Sequence, residues 1–324
     1  YSHPFKNGIK LEAGLKTSFV KTDNQVVYLR SSGSAWETDD RSNHFVYEEN
    51  INAAYAIFSK SIKKWELTAG LRVENTNATG HQIKSDSSFK RKYTNLFPNA
   101  GVSYNANEKN QFNFSYSRRI ARPDYDDLNP FVFFLDSLTY GQGNPYLQPQ
   151  FTNNFEVSHT FHKFLTTTLN YTQTDDIITQ MLKQNTEKKV TFQTQENFNK
   201  MKQFGIAVMA NFPVTKWWNM NIYTNVFNNH YTGIYQDGAK NDAIDIQFTS
   251  FMVKLGVRDI FYTQQFSGYA KYSDVDVDIL SRRDSRQFNL SFNYRFGKKN
   301  IAPARRKSGG ADDEQNRVKS GGGN

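Results

Sequence analysis

Residues 65–74 read Trp65-Glu66-Leu67-Thr68-Ala69-Gly70-Leu71-Arg72-Val73-Glu74. Trp65, Leu67, Ala69, Leu71 and Val73 alternate with Glu66, Thr68, Arg72 and Glu74. Successive side chains of a strand point to opposite faces, so a strand here has one apolar face and one charged face. The same period of two recurs along the chain. Ile9, Leu11, Ala13, Leu15 and Phe19 oppose Lys10, Glu12, Lys16 and Ser18. Ile206, Val208 and Ala210 share a face. Trp218, Met220, Ile222 and Val226 oppose Asn219, Asn221, Tyr223 and Asn225. Near the end, Phe288, Leu290, Phe292, Tyr294 and Phe296 oppose Asn289, Ser291, Asn293 and Arg295. No helical period competes over a long window.

Twelve segments follow this rule, at roughly 9–22, 44–59, 64–76, 93–105, 110–119, 152–162, 164–174, 201–213, 217–228, 245–258, 263–273 and 285–297. Short connections fall near Ser61, Asn107, Lys163, Thr215 and Asp259. Long ones are predicted at about 23–43, 77–92, 120–151, 175–200, 229–244 and 274–284. Short turns on one side and long loops on the other predict an all-β fold, a transmembrane antiparallel up-and-down β-barrel. The charged face, with Arg72, Glu74, Asn170, Asn221, Asn225 and Arg295, then lines a wet lumen, and the apolar face meets lipid. Trp65, Phe112, Phe161, Phe164, Phe212, Trp217, Trp218, Phe261 and Tyr262 gather near the short turns, as an interfacial aromatic girdle requires.

Composition agrees. The 324 residues include 27 Phe, 18 Tyr and 4 Trp, yet the hydrophobic share is 37% and the mean hydropathy is −0.72. No run of eighteen apolar residues exists, which excludes a helical membrane protein. The chain has no cysteine, which excludes disulfides, thiolate zinc sites and a cysteine nucleophile. The net charge of +9 does not indicate nucleic acid. Residues 298–324 supply +4 of it, from seven Lys/Arg against three Asp/Glu, in a Gly/Ser-rich tail predicted to be disordered and periplasmic. The barrel is thus expected over 1–297. His3-Pro4-Phe5-Lys6-Asn7-Gly8 reads as a turn between strands, so a strand is expected before it.

No catalytic motif, metal set or cofactor site is legible. The pair His159 and His162 lacks a neighbouring carboxylate, and no GxSxG, HExxH or P-loop pattern occurs. Asp274, Asp276 and Asp278 share one strand face, and the doublets Asp39-Asp40, Asp126-Asp127 and Asp175-Asp176 stand alone. All are read as solvated loop rims.

The segment Tyr116–Gln150 is more specific. It holds, in order, Ser117-Arg118-Arg119-Ile120, Arg122-Pro123, Leu128-Asn129-Pro130-Phe131, Asp136, and Gly143-Asn144-Pro145-Tyr146-Leu147-Gln148-Pro149. It resembles the TonB-dependent receptor-like outer-membrane β-barrel family of the Bacteroidetes, in the C-terminal part of the barrel. Looser similarity covers 1–297, including the ending Phe292-Asn293-Tyr294-Arg295-Phe296-Gly297. The resemblance implies a Gram-negative outer-membrane protein with a barrel of about 22 strands. It also implies an upstream plug, TonB as the energising partner, and uptake of a large or scarce solute. Lipid bilayer and lipopolysaccharide are the expected surroundings, and a surface lipoprotein a further partner. The alternative is a non-transporting barrel that scaffolds surface lipoproteins or a secretion assembly.

The prolines of this segment end the strand at Ile120 and fold the connection into a rigid loop. Pro and Phe outweigh its exposed polar groups, which favours packing on the barrel mouth over lining a solute vestibule. The candidate ligand-facing residues are the lumen positions Arg72, Glu74, Arg118 and Arg295 and the loop positions Tyr125, Asn129, Asp136 and Asn144.

Overall fold

The computed structural model describes residues 1–134, 136, 138–185, 189–213, 219–237, 240–255, 257–258, 265–272, 275–282, 287–288 and 312–318. Among these, seventeen strand segments join one sheet. Twelve of them are eight residues or longer: Ile9–Val26, Asn43–Ile62, Trp65–Gln82, Ser87–Asn107, Asn110–Ala121, Gln150–Phe161, Leu165–Asn185, Val190–Pro213, Asn219–Asp237, Lys240–Leu255, Gln265–Tyr272 and Val275–Arg282. Each pairs antiparallel with the next, the up-and-down order of a barrel wall. No described helix is long and apolar enough to cross a membrane.

The alternation holds in the packing. Leu15 is 88% exposed, and Phe58, Leu67, Leu71, Leu96, Phe114, Val157, Leu169, Phe204 and Ile206 are exposed with it. Register places them on one outward face: Leu71 opposes Ala56, Phe114 opposes Val157, and Leu169 opposes Ile206. In water such a surface would aggregate; in hydrocarbon it is the solvated face. The ladders leave the backbone polar groups between paired strands satisfied, which hydrocarbon demands.

At the short-turn end, tips at Lys63, His162 and Lys163 take left-handed backbone with φ of 51°, 49° and 61°. Asn107 caps its turn, its Oδ1 accepting from the backbone N–H groups of Lys109 and Asn110, both at 3.0 Å. Trp65 stacks on Tyr104 at 4.2 Å, Phe112 on His159 at 4.6 Å, and Phe164 meets Phe161 and Phe212 at 6.0 and 6.3 Å. This is the aromatic belt; Trp217, Trp218, Phe261 and Tyr262, and the turns at Thr215 and Asp259, lie outside the described residues. Ser2–Pro4 pairs with Lys10–Glu12 across a turn at Asn7 and Gly8, so the expected turn is present but His3 and Pro4, read as part of it, belong to the strand. Gly8 has φ +72° and packs against the Ser61 carbonyl, where a side chain would be strained.

The far end departs from expectation. Of the six long connections predicted there, those at 77–92, 175–200, 229–244 and 274–284 are largely strand. Ladders run on to Gln82↔Ser87, Asn185↔Val190, Asp237↔Lys240 and Tyr272↔Val275. Asp276 and Asp278 therefore sit in a strand, opposite Lys271 and Tyr269, and not in a loop rim; Asp274 lies outside the described residues. Lipid ends, but backbone pairing does not, because nothing in these stretches removes a donor. Residues 27–42 hold a small hairpin, Leu29–Ser32 with Ala35–Thr38. Residues 122–149 form the one long folded loop among the described residues. The predicted strand 285–297, with Arg295, falls outside the described residues except for Gln287–Phe288, which pair with Val257 and Arg258. The disorder predicted for 298–324 does not extend over 312–318, where Asp312–Asn316 form a helix.

Candidate functional site

Strand pairing sets Glu49, Ile51, Ala53 and Tyr55 beside Ala78, Thr76, Glu74 and Arg72, all on the inward face. Glu74, Thr76, Glu49 and Ile51 are buried there. Arg72 Nε donates to Glu74 Oε1 at 2.6 Å. Arg122 Nη2 donates to Glu74 Oε2 at 2.7 Å and to Thr76 Oγ1 at 3.0 Å. One carboxylate thus holds two guanidinium groups by charge-assisted hydrogen bonds.

The Arg72 guanidinium also lies 4.9 Å from the Phe97 ring centre, and Phe97 stacks on Phe151 at 6.5 Å. Arg118 covers Phe151 at 5.3 Å. Arginines and aromatics therefore alternate along the wall, each cation over a ring face. Among the described residues, Arg118 Nε and Arg122 Nε are buried N–H groups with no acceptor in the protein. A cavity of about 820 Å³ opens beside this cluster, lined by Lys16, Tyr55, Arg72, Glu74, Asn99 and Arg122 among others.

The loop 122–149 folds onto the same wall. Its helical turn Tyr125–Leu128 buries Tyr125 and Leu128, and Leu147 follows, against Phe45, Tyr47 and Ala78. Phe45 and Tyr47 share the strand phase of Glu49, so this apolar cluster lies inside the mouth. Arg91 donates to the Leu147 carbonyl and, at 2.9 Å, to the Pro145 carbonyl. Gln148 and Asn197 exchange hydrogen bonds of 2.7 and 2.9 Å, tying the loop to the Val190–Pro213 strand. Thr139–Gln142 adds a parallel ladder to Thr191–Gln193. Gly143 passes so close that a Cβ there would sit 2.0 Å from the Asn129 carbonyl oxygen.

Of the residues singled out in sequence, Arg72 and Glu74 meet directly; Arg118, expected in the lumen, shares the strand phase of the outward Phe114 and touches the cluster only through the Phe151–Phe97 stack. Tyr125 reaches the wall, its hydroxyl donating to Glu49 at 3.4 Å. Burial, with Arg317 opposing and Glu49 adding to the shift, pushes the Tyr125 phenol up to about 12. Asn129, Asp136 and Asn144 shape the loop. Their side-chain oxygens accept from the backbone of Phe131, Leu138 and Tyr146 at 3.3, 2.8 and 2.9 Å. The Leu138 N–H, joined by the hydroxyl and N–H of Thr139, holds the Asp136 carboxyl below its ordinary value against the opposing effect of burial.

Three residues outside the candidate set complete the site. Glu49, Arg122 and Arg91 carry the inward contacts of wall and loop. Glu49 was detectable only through its phase with Phe45, Tyr47 and Ile51; Arg122 and Arg91 gave no signal of their own. Among the described residues no group of three His, Asp or Glu side chains is placed to hold a metal.

An antiparallel wall with an apolar outside, a charged inside, and a belt of aromatics at the short-turn end defines an outer-membrane β-barrel. The chain belongs to the outer membrane protein beta-barrel family, whose sequence profile matches residues 1–255. Its place is the outer membrane of a Gram-negative bacterium. No curated protein matches the chain.

Solved structures with a similar fold include the siderophore receptor PirA from Pseudomonas aeruginosa, at 12% identity and TM-score 0.40, over 82% of this chain and 62% of that one. The copper transporter OprC aligns at 10% identity and TM-score 0.48, over 81% and 48%. The hemophore receptor HasR of Serratia marcescens aligns at 11% and 0.46, over 81% and 56%. The chain therefore spans about half to three-fifths of the length of these proteins.

Proposed function

We propose that this chain is the C-terminal part of a TonB-dependent-receptor-like barrel of about 22 strands, serving energised uptake of a large or scarce solute. The observation that carries the reading is the lumen wall. A small barrel fills its interior with side chains, whereas this wall presents paired arginines and a glutamate to an open cavity of about 820 Å³ beneath an inward loop. Such a wall suits a wide, wet lumen that something else must close.

In this reading an upstream plug closes the lumen, and TonB pulls on that plug from the periplasm. The projecting hairpins and the 122–149 loop meet solute first. Arg72, Glu74 and Tyr125 lie along its path, with Asn129, Asp136 and Asn144 holding the loop in shape. The outward band contacts bilayer and lipopolysaccharide, and a surface lipoprotein is a partner suited to the projecting hairpins. No step calls for catalysis by the chain.

The test is binding of the full-length protein, upstream region included, to the purified periplasmic domain of TonB by calorimetry. Saturable binding that vanishes when the extreme N-terminal segment is removed is the expected result. No binding at any concentration would overturn the reading and leave the scaffold function in its place.

A further inference from the structure

Glu49 is 2% exposed, on the inward face of the Asn43–Ile62 strand. A carboxylate so placed is costly unless paired. Tyr47 and Tyr125 donate hydroxyl hydrogen bonds to it at 3.1 and 3.4 Å, but these are neutral partners. Among the described residues its ion-pair partner is Arg317, which lies 268 positions further along the chain.

Arg317 is itself 8% exposed and uses the whole fork of its guanidinium. Nη1 and Nη2 donate to the two Glu49 oxygens, and Nε donates to the Pro123 carbonyl at 2.9 Å. The Tyr125 ring lies beneath, 4.2 Å from the guanidinium carbon, and the Tyr125 N–H donates to the Arg317 carbonyl at 3.2 Å. Acid, carbonyl and ring face form a receptor for one planar cation, a task to which lysine is poorly suited. Burial opposes the charge of Arg317, but Glu49 more than offsets it, and the guanidinium is held above its ordinary value.

A second anchor lies one turn earlier. Lys16, on the Ile9–Val26 strand, pairs with Glu314 at 3.0 Å. The helix Asp312–Asn316 is thereby fastened to one strand, and the following Arg317 to a second strand and the inward loop. Asp313, Glu314, Asn316 and Arg317 all line the lumen cavity beside Arg72 and Glu74.

We propose that the lumen wall carries a guanidinium-binding site, built from Glu49, Tyr125 and the Pro123 carbonyl, whose ligand is Arg317 of the chain's own C-terminal segment. Residues 312–318 then act as a clip held against the lumen wall, spanning two neighbouring strands. They narrow the path past Arg72 and Glu74, and they brace the 122–149 loop against the wall. Clearing the path requires Arg317 to leave Glu49. The proposal rests on the wall contacts alone and does not depend on TonB.

The test uses the full-length protein in outer-membrane vesicles. Ala53→Cys, the register partner of Lys16, and Asn316→Cys, which lines the same cavity, are introduced together, with any cysteine outside residues 1–324 replaced by serine, and a short bifunctional methanethiosulfonate is added. Cross-linking is expected with Arg317 in place. Arg317→Glu should lower the yield by about tenfold, and the reversed pair E49R with R317E should restore most of it. R317K should fall between, because it keeps charge but loses the fork.

Retained heat-modifiability shows that each variant still folds. Should E49R fail to fold, R317E in an intact barrel decides alone. Absence of the cross-link in the parent pair, or a yield indifferent to the substitution of Arg317, would overturn the proposal. A cross-link lost in R317E and regained in the reversed pair establishes it.

Discussion

Two connections leave the same end of the sheet and are built in opposite ways. Residues 122–149 turn inward, bury Leu128 and Leu147, and touch the charged wall. Residues 75–94 run straight on, paired from Asn75↔Thr94 to Gln82↔Ser87, with four residues left for the turn. The first contains four of the chain's eight prolines and the second none. Proline removes a ladder donor and forces the backbone elsewhere. Where no proline intervenes, antiparallel pairing continues past the lipid band, with polar residues outward and Ala78 and Phe89 turned to the inward cluster. Inward packing also needs apolar anchors. The loop supplies them through Tyr125, Leu128 and Leu147, whereas Ile83 at the hairpin tip stays exposed.

The contrast can be broken at several points. The largest expected effect is at Glu74, which holds both Arg72 and Arg122. Glu74→Ala should destabilise the full-length protein by about 3–5 kcal/mol in urea unfolding from bilayers, as removal of one partner leaves buried charge uncompensated. A cost below about 1 kcal/mol would mean that lumen water replaces the carboxylate. Next comes Leu147→Ala, at about 2–5 kcal/mol in the same assay. Ile83→Ala on the hairpin should stay within about 0.5 kcal/mol. Equal costs at the two sites would erase the distinction between a packed loop and an exposed hairpin tip.

The faces of the wall give a further contrast. Ile222 lies opposite Ala210 on the outward side and Asn221 opposite Asn211 on the inward side. Ile222→Arg should cost about 2–4 kcal/mol near the midplane, and Asn221→Arg much less. Parity would exchange the faces.

The smallest effect is a pH dependence of the C-terminal segment. Burial opposes the Glu314 carboxylate, but Lys16 prevails and holds its pKa below the ordinary 4.5. A folded-state pKa below the unfolded one stabilises above the unfolded value and is lost as pH falls. Limited proteolysis should find residues 312–318 protected between pH 5 and 8, with protection declining below about pH 4.5. Release already at pH 6 would point to a different holding group.

Much of the wall was legible in the sequence, because lipid and water impose opposite chemistries on alternate residues. Trp65 to Glu74, Val208, Ile222 and Asn221 lie on the faces that their period of two assigns. The ends of the strands at the far side were not legible. Beyond the lipid band the outward face turns polar at Asn75, Asn77, Thr79 and His81, so the apolar alternation ends even though the ladder continues and the inward Thr76 and Ala78 stay buried. The loop polars point to a second lesson. Asn129, Asp136 and Asn144 look available for ligand in one dimension, yet short polar side chains commonly bond the backbone two residues on, and all three do so here. Glu49 was overlooked because its partner lies in a segment whose composition reads as disorder.

The central claim is the orientation of this wall in the outer membrane, and impermeant thiol labelling of intact cells tests it most directly. Residues 1–324 contain no cysteine, so single introduced cysteines report alone once any cysteine outside them is replaced. Gly33, with open space around it, and Asp86, at a hairpin tip, lie at the far end; Lys109 and Lys163 lie in the short turns. Single cysteines at Gly33 and Asp86 should react on intact cells, and those at Lys109 and Lys163 only after the outer membrane is permeabilised. Labelling of Lys109→Cys on intact cells, with Gly33→Cys silent until lysis, would contradict the account.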